Sequence, residues 1–234
     1  MENKIHLFWE KISEKLEKTY GENLIQVVIY RPYLSTGRTA IILKDDSVSM
    51  LLKSRPIINE IRKKKLPAPL FFSPRYIKTS LDTFPLEFLD IKSDYENIYS
   101  KEDLFKDLDF EKSDIRHQME RELKGKWLHL KMAILDYGEK PAVMKEILGA
   151  AVQSVLPTVK GLIFLNDRDI PKNPEEMFKL ADELTSFSLS SFNRAFKILK
   201  ENAKIKKEEM IHLFEDFSSQ LKDYMQYTDT VNYE

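Results

Sequence analysis

The sequence contains no cysteine, which excludes disulfides, thiolate metal sites and a cysteine nucleophile. Glycine is scarce, with six in 234 residues, so a glycine-rich loop that cradles phosphate is not expected. Histidine occurs only four times, at His6, His117, His129 and His212, and no two stand at ligand spacing. An excess of either charge is also missing. Lys and Arg number 37 against 38 Asp and Glu, and the net charge of −1 provides no global field for nucleic acid. Local basic patches remain open. No apolar run reaches the about 18 residues of a membrane span, and the N-terminus lacks the apolar core of a signal peptide. These absences lead to the expectation of a cytoplasmic chain, with neither a membrane nor, on net charge, a nucleic acid as its partner. No Walker-type loop, Gly-x-Ser-x-Gly elbow, His-Glu-x-x-His or Ca²⁺ loop is present.

What is present is enough apolar residue, 42%, for a substantial core. The chain is long enough for one large domain or two small ones. Residues 3–19 follow a helical period, with Ile5, Phe8 or Trp9, Ile12 and Leu16 as the inward stripe. Residues 24–30 are β-branched and apolar, which predicts a buried strand, and 39–43 a second one. The link between them is too short for a helical crossover, so antiparallel pairing is expected. Residues 48–65 predict a helix broken near Pro56 and ending in Arg62-Lys63-Lys64-Lys65. That basic run complements a helix C-terminus, with a phosphate-binding patch as the alternative. Leu70-Phe71-Phe72 predicts a short strand between prolines, and 74–80 one or two helical turns. The apolar run 84–91 is read as a strand, followed by a connector with a short helix at 101–108.

From here the pattern turns helical. Ile115, Met119, Leu123, Trp127, Leu130 and Ile134 form one face of a helix over 113–137, with Ser113 as its N-cap and Gly138 and Pro141 ending it. Residues 141–165 predict a bundle-centre helix with an inward stripe of Val143, Ile147, Ala151 and Val155, a kink at Pro157, and close approach at Gly149-Ala150-Ala151. Helices over 174–184, 190–202 and 206–227 follow, with a frayed tail from Thr228. The expected class is α+β: a small mixed or antiparallel sheet flanked by helices over 1–110, then a helical bundle over 111–234.

Three runs carry a resemblance: Pro69-Leu70-Phe71-Phe72-Ser73-Pro74, the stretch Ser80 to Ile91, and Arg116 to Lys126. Together they resemble a bacterial family of nucleotidyltransferase-domain proteins, related to the polymerase-beta-type nucleotidyltransferase superfamily. The likeness spans roughly residues 20 to 165 and is most specific over 69–126. It implies a small mixed sheet followed by a helical bundle. In active members it also implies a Gly-Ser pair after the first strand, an Asp-x-Asp or Asp-x-Glu pair at the second, and a third carboxylate on a later strand. Such carboxylates hold Mg²⁺ ions that clamp a triphosphate and the attacking hydroxyl.

The sequence departs from that pattern at the decisive positions. Arg31-Pro32-Tyr33 stands in place of Gly-Ser, and proline removes one amide donor. Thr36-Gly37-Arg38-Thr39 stands in place of the paired carboxylates. Only the third carboxylate remains, as Glu87 or Asp90, with Glu87 as the chosen match. On a strand these two would point to opposite faces. Asp45 and Asp46 are read as a solvated turn and not as substitutes. One carboxylate cannot hold two Mg²⁺ ions with a triphosphate, so no metal site and no cofactor are expected, with Mg²⁺ only if the protein is active. Arg116 and Glu120 are candidate ligand-binding residues, with sheet-to-bundle contacts as their structural alternative. His117 and His129 lack a catalytic partner by spacing, and Trp9 and Trp127 fall on core stripes.

The expected function is that of a nucleotidyltransferase-fold protein without metal-dependent transfer, acting as a binding or regulatory protein toward a protein partner or a nucleotide. The alternatives are an active nucleotidyltransferase with relocated carboxylates and a purely structural helical interaction protein. In the latter, Ile211, Phe214, Phe217 and Leu221 would form the interface if they are not core.

Overall fold

A computed structural model describes residues 2–31, 37–137, 140–203 and 205–231. The chain forms two compact units. One comprises Met1–Phe84 and Asp90–Asp109, the other Pro85–Leu89 and Phe110–Glu234.

The first unit is built on a four-stranded sheet. Helix α1 (Glu2–Tyr20) leads into β1 (Leu24–Tyr30), which turns into β2 (Arg38–Leu43). Helices α2 (Val48–Lys53) and α3 (Arg55–Lys63) cross to β3 (Leu70–Phe72), followed by α4 (Pro74–Thr79). Helix α5 (Pro85–Ser93) is succeeded by β4 (Tyr95–Ser100). The strand order is β3-β2-β1-β4, with β1 antiparallel to β2 and β4, and β2 parallel to β3. Every residue of the central β1 is buried, as its unbroken apolar run requires. Trp9, Ile12 and Leu16 of α1 and Ile57 and Ile61 of α3 pack with Val27, Ile29, Ile41 and Leu43 in one apolar cluster. Of the two alternatives for the α1 stripe, Trp9 is fully buried and Phe8 half-buried.

Two expectations fail between residues 84 and 108. The run 84–91 is a helix, not a strand. Leu86, Phe88, Leu89 and Ile91 are all buried, so the segment is apolar on every side and its periodicity does not discriminate. Pro85 at the first helical position and Glu87 at the third were the helix-start signals. The strand lies later, at β4, where Glu96 and Asn97 on a half-exposed edge hid the alternation. The helix expected at 101–108 does not form. A hydrogen-bonded turn replaces it, centred on Asp103. That carboxylate accepts from Tyr95 Oη (2.8 Å), Asn97 Nδ2 (2.9 Å), Gln26 Nε2 (3.0 Å) and the Phe105 N–H (3.2 Å). Desolvation pushes the Asp103 carboxyl up, but these donors outweigh it and hold the group below the usual range. A carboxyl depressed in the fold stabilises it fully above the ordinary aspartate value of about 3.9, and the contribution is lost as pH falls through the folded value. Asp103→Ala is expected to cost about 2 kcal/mol at neutral pH. The gap from wild type should narrow in urea unfolding curves taken at progressively lower pH.

The second unit is helical: α6 (Lys112–Tyr137), α7 (Pro141–Leu165), α8 (Pro174–Leu184), α9 (Ser190–Lys200) and α10 (Lys207–Thr230). Ile115, Met119, Leu123 and Leu130 of α6 are buried and Trp127 is half-buried, but Ile134 is exposed. Leu128, Met132 and Leu135 of the same helix also face solvent. Ser113 lies inside the first turn instead of capping it, and Gly138 falls outside the described residues.

Helix α7 packs with α6, α8, α9 and α10. Its buried stripe is Met144, Leu148, Val152, Val155 and Val159, rotated one position from the expected one, because a helix this apolar offers several equivalent stripes. Pro157 lies within α7 without ending it. A Cβ on Gly149 would stand 2.7 Å from Leu199 Cδ2, and one on Gly161 2.7 Å from Leu86 Cδ2 and 2.8 Å from Met119 Sδ. Both glycines therefore allow close packing. By length and composition α7 is also the one helix among the described residues that could cross a membrane, and 61% of its most apolar window is buried within the protein. Phe214, Phe217 and Leu221 of α10 are core, not interface. The tail expected to fray from Thr228 instead continues as helix to Thr230, with Thr228 itself buried.

Candidate functional sites

Arg31 leaves the end of β1 with a positive φ of 51°. Its Nε donates to Asp90 Oδ2 at 2.5 Å, and the two side chains are only 16% and 2% exposed. The cation that follows β1, where the resemblance would put Gly-Ser, is thus paired with Asp90, one of the two candidates for the single third-carboxylate position of that resemblance. Gly37 re-enters the hairpin at φ 60°, where a Cβ would come within 3.1 Å of Ile29 Cγ2. Arg38 is exposed and Thr39 buried at the start of β2, so no carboxylate stands there. Pro32, Tyr33 and Thr36 lie outside the described residues.

Asp45 and Asp46 sit at the other end of the hairpin. They follow Leu43, which pairs with Leu24, whereas Arg31 follows Tyr30, which pairs with Arg38. At about 3.3 Å per residue a seven-residue strand separates the two ends by about 20 Å. Asp45 fastens its own turn. Its Oδ1 accepts from the Ser47 N–H (2.9 Å), and its own N–H donates to Asn23 Oδ1 (2.8 Å).

Glu87 is engaged within the helical unit. Phe84, in the N-cap position of α5, offers no side-chain acceptor. Gln118 of α6 supplies one: its Oε1 accepts from the Leu86 N–H (2.8 Å), and its Nε2 donates to Glu87 Oε2 (2.6 Å). A buried amide from another helix thus satisfies an orphan N–H and holds the carboxylate that favours the positive helix end. Because the segment is helical, Glu87 and Asp90 are neighbours about 60° apart around the helix, not opposites as on a strand. Gln118→Leu should lower stability by about 2 kcal/mol in chemical unfolding. Gln118→Glu should behave differently. It keeps the acceptor but sets two carboxylates together, so its deficit should shrink as the pH drops toward the carboxylate range.

Arg116 and Glu120 form a separate network. Arg116 Nη1 donates to Glu120 Oε2 and to the Thr228 carbonyl, both at 3.2 Å, and Lys124 bridges Glu120 and Asp229. The candidates therefore tie α6 to the last turn of α10, where a guanidinium satisfies an end carbonyl. His117 and His129 are exposed.

Gln118, Asp103 and Lys160 were not anticipated from the sequence. Lys160 is fully buried in α7, a rare place for lysine, and its only signal was a lone charge inside an apolar run.

Among the described residues no group of three or more His, Asp or Glu side chains is placed to hold a metal ion. The residues at the positions where the resemblance would expect metal ligands do not suit Mg²⁺. Asp90 is bound to a guanidinium and Glu87 to an amide, and the hairpin positions offer a glycine, an arginine and a threonine. The fold is that of an α+β protein with a four-stranded mixed sheet in one unit and helices in the other. Compared with known proteins, the chain matches no family model and no curated sequence.

Proposed function

We propose that this chain is a nucleotidyltransferase-fold protein that has lost metal-dependent transfer and acts as a binding or regulatory protein, toward a protein partner or a nucleotide. The observation that carries this reading is the Arg31–Asp90 pair. Mg²⁺ needs carboxylate oxygens at about 2.0–2.1 Å in near-octahedral order. A guanidinium on Asp90 competes for those oxygens and repels a divalent ion by several kcal/mol at about 4 Å. The separate engagement of Glu87 by Gln118 supports the same reading. Incubation with labelled nucleoside triphosphates and Mg²⁺ or Mn²⁺ is expected to give no transfer to protein, nucleic acid or small hydroxyl acceptors. Transfer that disappears in Asp90→Asn or Glu87→Gln would establish the active alternative.

One observation favours the interaction-protein reading: Leu128, Met132 and Leu135 are exposed at helical spacing on α6. That reading predicts no nucleotide binding and a defined oligomer in light scattering.

A further inference from the structure

Charge is spread unevenly along a chain whose total nearly cancels. Between Val48 and Lys78 the only acid is Glu60, and Lys15 of α1 already holds it at 2.5 Å. The same stretch carries the run Arg62-Lys63-Lys64-Lys65, with Lys53 and Arg55 before it. Arg75 and Lys78 follow on α4. All these cations are exposed, and among the described residues none is in an ion pair.

The fold gathers those of α2 and α3 on one flank of the first unit. Ile57 and Ile61 of α3 are buried in the core cluster, and Met50 and Leu51 of α2, Ile58 of α3, Leu66 and Phe71 pack against it. The opposite sides of α2 and α3 therefore face outward together. On α3 that outer side holds Arg55, Arg62 and Lys63. On α2 it holds Val48 and Leu52, which are 73% and 60% exposed and one helical turn apart. Leu70 and Tyr76, in the same stretch, are also exposed.

Unpaired cations beside exposed aliphatic side chains distinguish between polyanions. A nucleic acid would use the cations and flat aromatic faces, but Val48, Leu52 and Leu70 would give it nothing. The exposed aromatic, Tyr76, already stacks on Phe72, with centroids 5.7 Å apart and planes at 13°. An anionic bilayer uses both features: lipid phosphates meet Lys and Arg, and aliphatic side chains enter the headgroup boundary, where tyrosine is also favoured. We propose that the outer flank of α2 and α3 docks this protein on an anionic lipid surface. This peripheral attachment departs from the expectation, drawn from the lack of an apolar span and of a signal core, that no membrane is a partner, and it is independent of α7 and of the Arg31–Asp90 site.

The test is sedimentation of the full chain with vesicles of phosphatidylcholine alone and of phosphatidylcholine mixed with phosphatidylglycerol. Binding to the mixed vesicles only, weakening as salt rises, is expected. Each lysine near the surface is worth about fivefold in affinity, so Lys63→Gln with Lys64→Gln should weaken binding about 30-fold. Leu52→Ser leaves the charge unchanged and should weaken it about tenfold. All three positions are exposed, and circular dichroism should show an unchanged fold. The proposal fails if mixed vesicles are not bound at low salt, or if both vesicle types are bound equally. It also fails if the variants bind as wild type, or if a single-stranded RNA is retained through Lys63 and Lys64 while vesicles are not.

Discussion

Phe217→Ala should destabilise the helical unit by about 4 kcal/mol. Phe217 is fully buried on α10, and its ring stacks on that of Phe192 from α9, with centroids 4.0 Å apart and planes at 25°. Phe192 in turn lies 6.3 Å from Phe178 of α8, so one ring holds together a column crossing three helices. Truncation removes the transfer free energy of the ring, leaves a cavity that rigid helices fill only in part, and forfeits an aromatic pair worth about 0.5–1.5 kcal/mol. Urea unfolding will measure it if each unit is followed separately. The two tryptophans allow this, since Trp9 belongs to the sheet unit and Trp127 to the helical one. In a Trp9→Phe background, fluorescence reports the helical unit alone. Leu135→Ala, at a side chain 85% exposed, serves as the control and should fall within about 0.5 kcal/mol of wild type.

Arg31→Met should cost about 3 kcal/mol in the sheet unit, read from Trp9 in a Trp127→Phe background. The loss comes from the carboxylate left behind: Asp90 is 2% exposed, and removing the guanidinium takes away its counter-charge and a hydrogen bond. A buried ion pair contributes little net stability over an apolar pair of similar volume, because both charges were taken out of water. The double variant Arg31→Met/Asp90→Leu should therefore recover most of the loss. If the double variant is as unstable as the sum of the two single ones, Arg31 and Asp90 act independently and are not coupled.

Long elements with one dominant period were legible from residues alone. Strand 24–30 and helices 141–165 and 174–184 match the structure residue for residue, because β-branched content, a starting proline and an Asn cap mark them locally. Segments whose environment is uniform were not legible. Residues 85–93 carry buried apolar side chains on every side, and β4 is a polar edge, so neither shows the contrast that periodicity needs. The inward stripe of α7 was misplaced by one position for the same reason.

The polar centres were harder still. The partners Arg31 and Asp90 are 59 residues apart, and Gln118 reaches Glu87 from another helix, so no local pattern announces either pairing. From the residues alone, Arg31 stands where the resemblance would put a Gly-Ser pair. They do not show that the same guanidinium meets Asp90, the carboxylate weighed beside Glu87. Phe84-Pro85-Leu86-Glu87 starts a helix without a capping side chain, so an acceptor has to come from elsewhere.

Whether Arg31 keeps a metal off Asp90 can be decided by calorimetry of the wild-type chain with Mn²⁺ and a nucleoside triphosphate, added singly and together. With the guanidinium seated on the carboxylate, Mn²⁺ should leave triphosphate binding unchanged, and Asp90→Asn should not alter the titration. Tight, mutually dependent binding of metal and triphosphate that Asp90→Asn abolishes would mean that the site works as a metal centre.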